Sequence, residues 1–218
     1  MRTILLLNSK GGCGKSTLAT NLAGYYASRG KSVVLADFDP QGSSMDWLAV
    51  RPSDRPEIKG IAAWEEPLRV PKTTEYLIMD SPAALRDKPL VDLVRRAESI
   101  LIPLLPSPMD MRAATRFLET LTEIRRILNN EVKLATIANR VRDHTIAAGN
   151  LSDYLHALKL PDGHHFPFLA VLRASQNYVH AAERGLSIFE FARSATLQDR
   201  EQWKPLLRWL NSARSIPQ

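Results

Sequence analysis

The stretch "NSKGGCGKST", residues 8–17, decides the fold that we predict for this chain. It follows the phosphate-binding pattern G-x-x-x-x-G-K-[ST], except that Ser9 occupies the position of the first glycine. The apolar run "TILLLN" leads into it, and the helical pattern "KSTLATNLAGYYASRG" begins within it at Lys15. A strand, a glycine-rich loop and a helix in this order predict a nucleotide site.

The residues of this loop have predicted roles at the phosphates of ATP. Lys15 supplies a positive charge for the outer phosphates, Ser16 a hydroxyl for Mg²⁺, and Thr17 a donor for the inner phosphate. Cys13 occupies a loop position that takes a small side chain. The glycines of the loop are Gly11, Gly12 and Gly14. Glycines let backbone N–H groups turn toward the phosphate oxygens, assisted by the positive end of the helix that follows.

Carboxylates follow two further apolar runs. "VVLADFDPQGSS" places Asp37 and Asp39 two residues apart, so an extended backbone points both side chains to the same side. One of the two can support the water shell of the metal while the other orients the attacking water. "YLIMDSPAAL" ends a strand at Asp80, the predicted Walker B carboxylate that holds Mg²⁺ through water. Any one of these residues alone would be interpreted as a helix cap or turn, whereas the three together indicate a hydrolase.

Apolar runs alternate with segments of helical spacing along most of the chain. This alternation predicts an α/β fold of the P-loop NTPase type, with a mostly parallel, twisted sheet and helices on both faces. We expect residues 1–218 to form a single domain, with ligands at the carboxyl ends of the strands. The predicted strands are 4–7, 33–36, 76–79, 100–105, 134–138 and 168–171, and the predicted helices 15–28, 87–97, 111–129 and 175–184.

Two segments depart from this alternation. Residues 51–74 carry four prolines and predict a surface excursion with a short strand or turn. Residues 196–214 predict a final helix in which Pro205 marks a kink or a new start.

Composition excludes several classes of protein. The chain has 218 residues, 44% of them hydrophobic, which suffices for a core without disulfides. Cys13 is its only cysteine, which excludes an intramolecular disulfide and an iron–sulfur centre and indicates a reducing cytoplasm. The apolar runs are too short for a signal peptide or a transmembrane span. No G-x-S-x-G elbow occurs. Metal-ligand spacing is missing around the histidines, which are His144, His156, His164, His165 and His180.

The motifs "SKGGCGKST", "DFDPQGSS" and "IMDSPA", in this order and spacing, resemble those of deviant Walker A ATPases of the ParA/MinD type. "LLPSPMDMRAA" and "NYVHAAERGLSIFEF" resemble in particular the small ParA-like partition ATPases that lack an amino-terminal DNA-binding domain. The likeness runs from residue 3 to about residue 192. It implies that Lys10 is the signature lysine and that Asp39 is the water-orienting carboxylate of the first switch, which leaves Asp37 to the metal. It also implies that Asp80 is the second metal carboxylate and that Asn139 in "TIANR" contacts adenine.

Lys10 is the residue that a simple phosphate loop does not explain. It leaves the strand before the loop curls, so a short path to the phosphates that Lys15 serves is unfavourable, and an outward direction is favoured. The resemblance implies that it reaches the nucleotide of a second subunit in a homodimer that sandwiches two ATP molecules. The alternative is a solvated loop charge.

The formal net charge of +6 suits a polyanionic partner. The last segment concentrates basic residues and predicts a surface for nonspecific DNA, to which Arg140 and Arg142 would add; a solvated helix face is the alternative. The predicted DNA-binding residues are Arg193, Arg200, Lys204, Arg208 and Arg214. The same segment carries an apolar stripe, for which core packing is favoured over membrane binding of the MinD kind.

These observations predict a Mg²⁺-dependent ATPase whose dimer binds DNA, positions a cargo such as a plasmid or protein assembly, and hydrolyses ATP when an adaptor protein stimulates it. We expect it in the cytoplasm, on the nucleoid when ATP is bound, and not at a membrane. The alternative is a metabolic enzyme of the dethiobiotin-synthetase type, which would not need Lys10.

Overall fold

The computed structural model describes residues 1–129, 131–161 and 163–217. Within them, strands and helices alternate over most of the chain. The strands are β1 (Arg2–Leu6), β2 (Val33–Asp37), β3 (Lys59–Ala62), β4 (Tyr76–Asp80), β5 (Ser99–Leu104), β6 (Lys133–Val141) and β7 (Phe168–Arg173). The helices are α1 (Lys15–Ala27), α2 (Ser43–Ala49), α3 (Asp87–Arg95), α4 (Pro108–Ile127), α5 (Ile146–Ala157), α6 (Gln176–Ala182) and α7 (Leu197–Leu210), followed by a 3₁₀ turn at Ala213–Ser215.

All seven strands join one parallel sheet in the order β3-β2-β4-β1-β5-β6-β7. β1 lies at the centre, so the loop that follows it emerges in the middle of the carboxyl edge. In the pairing of β2 with β4, Asp37 lies opposite Asp80. The predicted parallel α/β fold is confirmed.

The sheet is covered on both faces because neighbouring residues of each strand point to opposite sides. On one face Leu5 of β1 and Leu7 directly after it pack with buried residues of α3, α4 and α5. On the other face Ile4 and Leu6 pack with α1 and α7. The near-continuous apolar strands are thus explained by burial on both sides.

The helices α2 and α5 were not predicted. α2 has only seven residues, and α5 contains Gly149 and Asn150, which weaken a helical pattern. The short strand expected within residues 51–74 is β3. The final helix α7 ends at Leu210, earlier than the predicted residue 214, and it continues through Pro205.

The apolar stripe of α7 belongs to the core, as favoured from the sequence. Trp203 and Leu206 are fully buried, and Leu207 and Leu210 nearly so. Tertiary packing of this stripe offsets the backbone hydrogen bond that Pro205 removes. Among the described residues, none of the helices has the length and apolar character that a bilayer span requires.

Candidate nucleotide site

The loop between β1 and α1 has the backbone of a phosphate cradle. Gly12 and Gly14 adopt φ angles of 73° and 95°, in the left-handed region that glycine tolerates best. Gly14 caps α1 without a side chain, and the first turn of α1 carries no acidic residue. The free N–H groups and the positive helix end therefore face an anion site.

Lys15 lies inside this cradle. Its side chain is buried, and Nζ donates to the carbonyl of Lys10 at 3.1 Å across the loop. Lys15, Ser16 and Thr17 all line one cleft of about 820 Å³. The predicted phosphate-binding residues are thus brought together.

The cleft extends to both sides of the loop along the carboxyl edge of the sheet. On the β2 side it is lined by Asp39, Gln41 and Ser43. On the β6 and β7 side it is lined by Asn139 and by the segment Arg173–Gln176, continuing to Tyr178 and Val179. A nucleotide with its phosphates at the loop has room in both directions.

Asp37 and Asp80 are fully buried side by side, with different partners. The carboxylate of Asp37 accepts the backbone N–H groups of Asp39 at 3.0 Å and Ser44 at 2.9 Å, so it orders the turn before α2. The Ser44 hydroxyl donates to Oδ2 of Asp80 at 2.7 Å. Burial raises the pKa of Asp80 to about 7, although the Ser16 and Ser44 hydroxyls oppose this shift.

The residues present fit a Mg²⁺ ion bound with ATP. Oδ1 of Asp80 is buried without a hydrogen-bond donor among the described residues, and a metal-bound water would provide one. No group of three His, Cys, Asp or Glu in the described parts of the chain forms an all-protein metal site. Mg²⁺ commonly retains waters and binds through few protein oxygens plus phosphates, so Ser16 and Asp80 would hold it.

Asp39 lies at the rim of the cleft, half-buried. Its Oδ1 accepts the N–H of Gln41 at 3.0 Å, and its carbonyl accepts the N–H of Gly42 at 2.9 Å. This turn orders Asp39 in the lining of the same cleft as the phosphate loop, and its water-orienting role stays a prediction.

Lys10 does not line the nucleotide cleft. Lys10 instead lines a neighbouring depression of about 520 Å³ together with Arg86, Asp87 and Arg116. The loop after Asp80 forms one wall and is tied to the phosphate loop by a hydrogen bond from Ala84 N–H to the Ser9 carbonyl at 3.0 Å. Ala84 and Asp87 both adopt positive φ, which non-glycine residues rarely do.

Asn139 lies at the end of β6, close to the phosphate loop. Its Nδ2 donates to the Cys13 carbonyl at 2.8 Å. A Cβ at position 14 would lie 2.3 Å from the same nitrogen, so this contact requires glycine there. The side chain is buried in the cleft wall, and its contact with adenine stays a prediction.

Comparison with known proteins identifies the family. Residues 4–188 match the CobQ/CobB/MinD/ParA nucleotide binding domain. The chain belongs to this family. Similar proteins of this family include the maintenance of carboxysome distribution protein A of Halothiobacillus neapolitanus, 28% identical over 86% of this chain and 87% of the relative. The chromosome-partitioning ATPase Soj of Thermus thermophilus is 30% identical over 72% of this chain and 76% of the relative.

The fold of this nucleotide-binding domain also matches solved structures. An aspartate-to-alanine variant of McdA from Cyanothece in complex with ATP superposes with a TM-score of 0.70 at 19% identity, covering 100% of this chain and 98% of that one. The resemblance to ParA/MinD-type ATPases is confirmed.

Several cleft residues of this ParA/MinD-type domain were missed from the sequence. Arg140 and Arg142 line the cleft, and Arg140 donates to the Gly12 carbonyl at 3.4 Å. Their contribution to a DNA-binding surface stays a prediction. Arg173 and Tyr178 also line the cleft. All lie at or shortly after the carboxyl ends of β6 and β7, a position that could have singled them out. Ser44 was missed because α2 was not predicted.

The predicted DNA-binding residues differ in their surroundings and form three groups. Arg193, Lys204 and Arg208 are exposed and line a groove of about 800 Å³, which Arg29 at the end of α1 joins. We call this the basic groove. Arg200 also lines it, but its guanidinium donates to the carbonyls of Ile188 and Phe191, and burial lowers its pKa. Arg214 lies on the 3₁₀ turn, outside the residues that line the groove.

Proposed function

We propose that this protein is an ATP-driven dimerising switch that positions a cargo on nonspecific DNA. Two kinds of relative support the cargo class, because their names refer to carboxysome distribution and to chromosome partitioning. An adaptor protein on the cargo would stimulate hydrolysis, and the ATP-bound form would associate with the nucleoid. Residues 1–218 would act as one domain.

The observation that carries this proposal is the position of Lys10 outside its own nucleotide cleft. Its charge is available to the nucleotide of a second subunit. At ~1.5–3 kcal/mol for each charge-assisted contact, two symmetric contacts contribute ~3–6 kcal/mol to dimerisation. ATP would therefore act as an assembly switch, and hydrolysis would dissolve the pair.

Exposed apolar residues on the same edge support a homodimer. Met109, Ile146 and Val179 are 69%, 85% and 49% exposed. Each lies in the first turn of a helix, α4, α5 or α6, that follows a parallel strand, so all three lie at the carboxyl edge together with the cleft. A second copy of the chain would bury them.

Within each subunit, the geometry of the cleft supports the following roles. Lys15 and the loop N–H groups would bind the phosphates, and Ser16 and Asp80 would hold Mg²⁺, which would supply positive charge at the phosphates. Asp37 fixes the turn that carries Asp39 and helps to order the water shell of the metal. Asp39 orients the attacking water, and Asn139 contacts adenine.

DNA would bind through exposed cations of the basic groove. Arg29, Arg193, Lys204 and Arg208 would contact phosphates without reading the sequence. A dimer presents two such grooves, so its binding has about twice the logarithmic salt dependence of a monomer. Only the ATP-bound dimer would then hold DNA at cellular salt.

The dimer is tested by light scattering with ATP and Mg²⁺. The wild-type protein should shift from monomer to dimer, and Ile146→Glu should weaken the dimer at least ~10-fold by placing charge in the contact. Ile127→Glu is a matched control, because Ile127 is 65% exposed at the far end of α4. A wild-type protein that binds ATP and stays monomeric at high concentration would rule the proposal out.

A further inference from the structure

The two ends of the nucleotide cleft have different chemistry. The carboxylates Asp39 and Asp80 lie on the β2 and β4 side of the phosphate loop, where the terminal phosphate and its metal would be. The base and ribose would therefore extend to the other side, toward β6 and β7. The wall at that end includes Arg173, Ser175 and Tyr178, which we call the base-end wall.

Side chains of α7 form hydrogen bonds with the residues of the base-end wall. Asp199 of α7 is fully buried, and its carboxylate accepts from Arg173 Nε at 2.6 Å and Nη2 at 3.3 Å. It also accepts from Ser175 Oγ at 3.4 Å and from Asn177 Nδ2 at 2.6 Å. One carboxylate thus joins the end of β7, the turn after it and the start of α6.

Further hydrogen bonds connect the base-end wall to α7. Trp203, one turn further along α7, donates from Nε1 to the hydroxyl of Tyr178 at 2.8 Å. Gln198 and Gln202 of α7 also accept hydrogen bonds from Arg173, at its Nη1 and its backbone N–H respectively. Each polar group of the base-end wall therefore has a partner on α7, a helix whose other side borders the basic groove.

Removing the charge of Asp199 would release the arginine of this wall. A buried carboxylate with charged and neutral donors fixes all of them in one arrangement. Without its charged partner, the Arg173 guanidinium would keep only its hydrogen bond to Gln198 and would be less constrained at the cleft, and Ser175 and Asn177 would lose their common charged acceptor. The phosphate loop, which makes none of these contacts, would keep its geometry.

We propose that Asp199 is a positioning residue that shapes the base end of the nucleotide cleft from α7. This inference rests on the proposed nucleotide binding and names the element that determines affinity for the nucleoside part. Its consequence is that α7 is shared between the nucleotide site and the basic groove, within a single subunit.

The test compares a ligand with a nucleoside to one without, using ADP and inorganic pyrophosphate with Mg²⁺ in titration calorimetry. Neither ligand requires hydrolysis or the proposed ATP dimer. For Asp199→Asn we expect the Kd of ADP to rise about 10-fold while the Kd of pyrophosphate stays within about 2-fold. Glu201→Gln, an exposed acid on the same helix, should change neither Kd.

A milder variant keeps the test informative if the Asp199→Asn protein does not fold. Asn177→Ala removes one donor to Asp199, keeps its pair with Arg173, and is not a residue that lines the cleft. It should raise the Kd of ADP about 3-fold and leave that of pyrophosphate unchanged.

The outcomes separate the inference from the function on which it rests. If the variants weaken both ligands equally, or neither, while the wild-type protein prefers ADP, Asp199 does not position the base-end wall. If the wild-type protein itself shows no preference for ADP over pyrophosphate, the proposed nucleotide function fails and this inference fails with it.

Discussion

At the scale of single residues, Asp37 and Asp80 show how far a sequence predicts a site. Both end apolar strands, and parallel strands bring their ends to one edge, so their proximity was predictable. Their different partners were not. Ser44 donates its N–H to Asp37 and its hydroxyl to Asp80. Its position depends on a turn and a short helix that no periodic pattern in the sequence revealed.

Two substitutions at this scale separate binding from hydrolysis. Lys15→Ala should abolish nucleotide binding, because it removes the buried charge of the phosphate cradle. Asp39→Ala should retain ATP, accumulate dimers and lower turnover at least ~100-fold, because the attacking water loses its orienting group. Measurements of phosphate release and light scattering check both. Asp46→Ala, an exposed acid on α2, is the control, and wild-type turnover in Asp39→Ala would contradict the assigned role.

At the scale of elements, the segment 185–191 links three helices. Ile188 N–H donates to Asn21 of α1 at 2.8 Å, the Leu186 carbonyl accepts from Trp47 of α2 at 3.2 Å, and Arg200 of α7 donates to the Ile188 carbonyl. The sequence "NYVHAAERGLSIFEF" predicted a family likeness here but not these contacts. Those with α1 and α2 join residues 139 to 167 positions apart along the chain, a distance over which helical or strand periodicity carries no information.

The same segment contains a buried ion pair with a predictable pH dependence. Glu190 and Arg51 are 2.6 Å apart, with side chains only 3% and 7% exposed. Burial alone would raise the pKa of Glu190, but hydrogen bonds from Arg51 and Ser187 outweigh it and hold the pKa below its ordinary value. The pair therefore stabilises the fold above the unfolded-state pKa of about 4.3, and this contribution is lost as the pH falls through the lower folded-state pKa.

Glu190→Gln should accordingly lower the free energy of unfolding at pH 7 by about 3 kcal/mol, because Arg51 stays buried without its counter-charge. Its unfolding free energy should also change less than that of the wild type as the pH falls below about 4.5. Urea denaturation between pH 3 and pH 7 measures both. Glu201→Gln in the exposed Lys204 pair should cost less than about 1 kcal/mol; equal losses in the two variants would contradict the buried-pair explanation.

At the scale of the whole molecule, the phosphate cradle and the basic groove are separate surfaces. The net charge of +6 predicted a polyanionic partner, and the last segment predicted its surface. The structure keeps Arg193, Lys204 and Arg208 in one exposed groove but engages Arg200 in internal hydrogen bonds. Arg29, from the other end of the sequence, also lines this groove. Because it is far from the C-terminal basic residues along the chain, their clustering in the sequence does not indicate it.

Salt dependence tests this surface. In the ATP-bound dimer, the double substitution Lys204→Ala and Arg208→Ala removes four phosphate contacts, so the slope of log K against log salt should fall by roughly 3 to 4. Affinity should fall equally for unrelated DNA sequences. Fluorescence anisotropy between 50 and 200 mM salt measures this, with the double substitution Arg95→Ala and Arg96→Ala at the exposed end of α3 as the control. Equal slopes in the two double variants would exclude the basic groove as the DNA site.

Helix α1 begins at the phosphate cradle and ends near Arg29. Its 13 residues span about 20 Å, so the two proposed anions at its opposite ends would contact separate sets of cations. Nucleotide and polymer could then occupy one subunit simultaneously, and neither would have to displace the other. The protein would then dissociate from the polymer because the dimer separates and half of the phosphate contacts are lost, rather than because the nucleotide competes for the same surface.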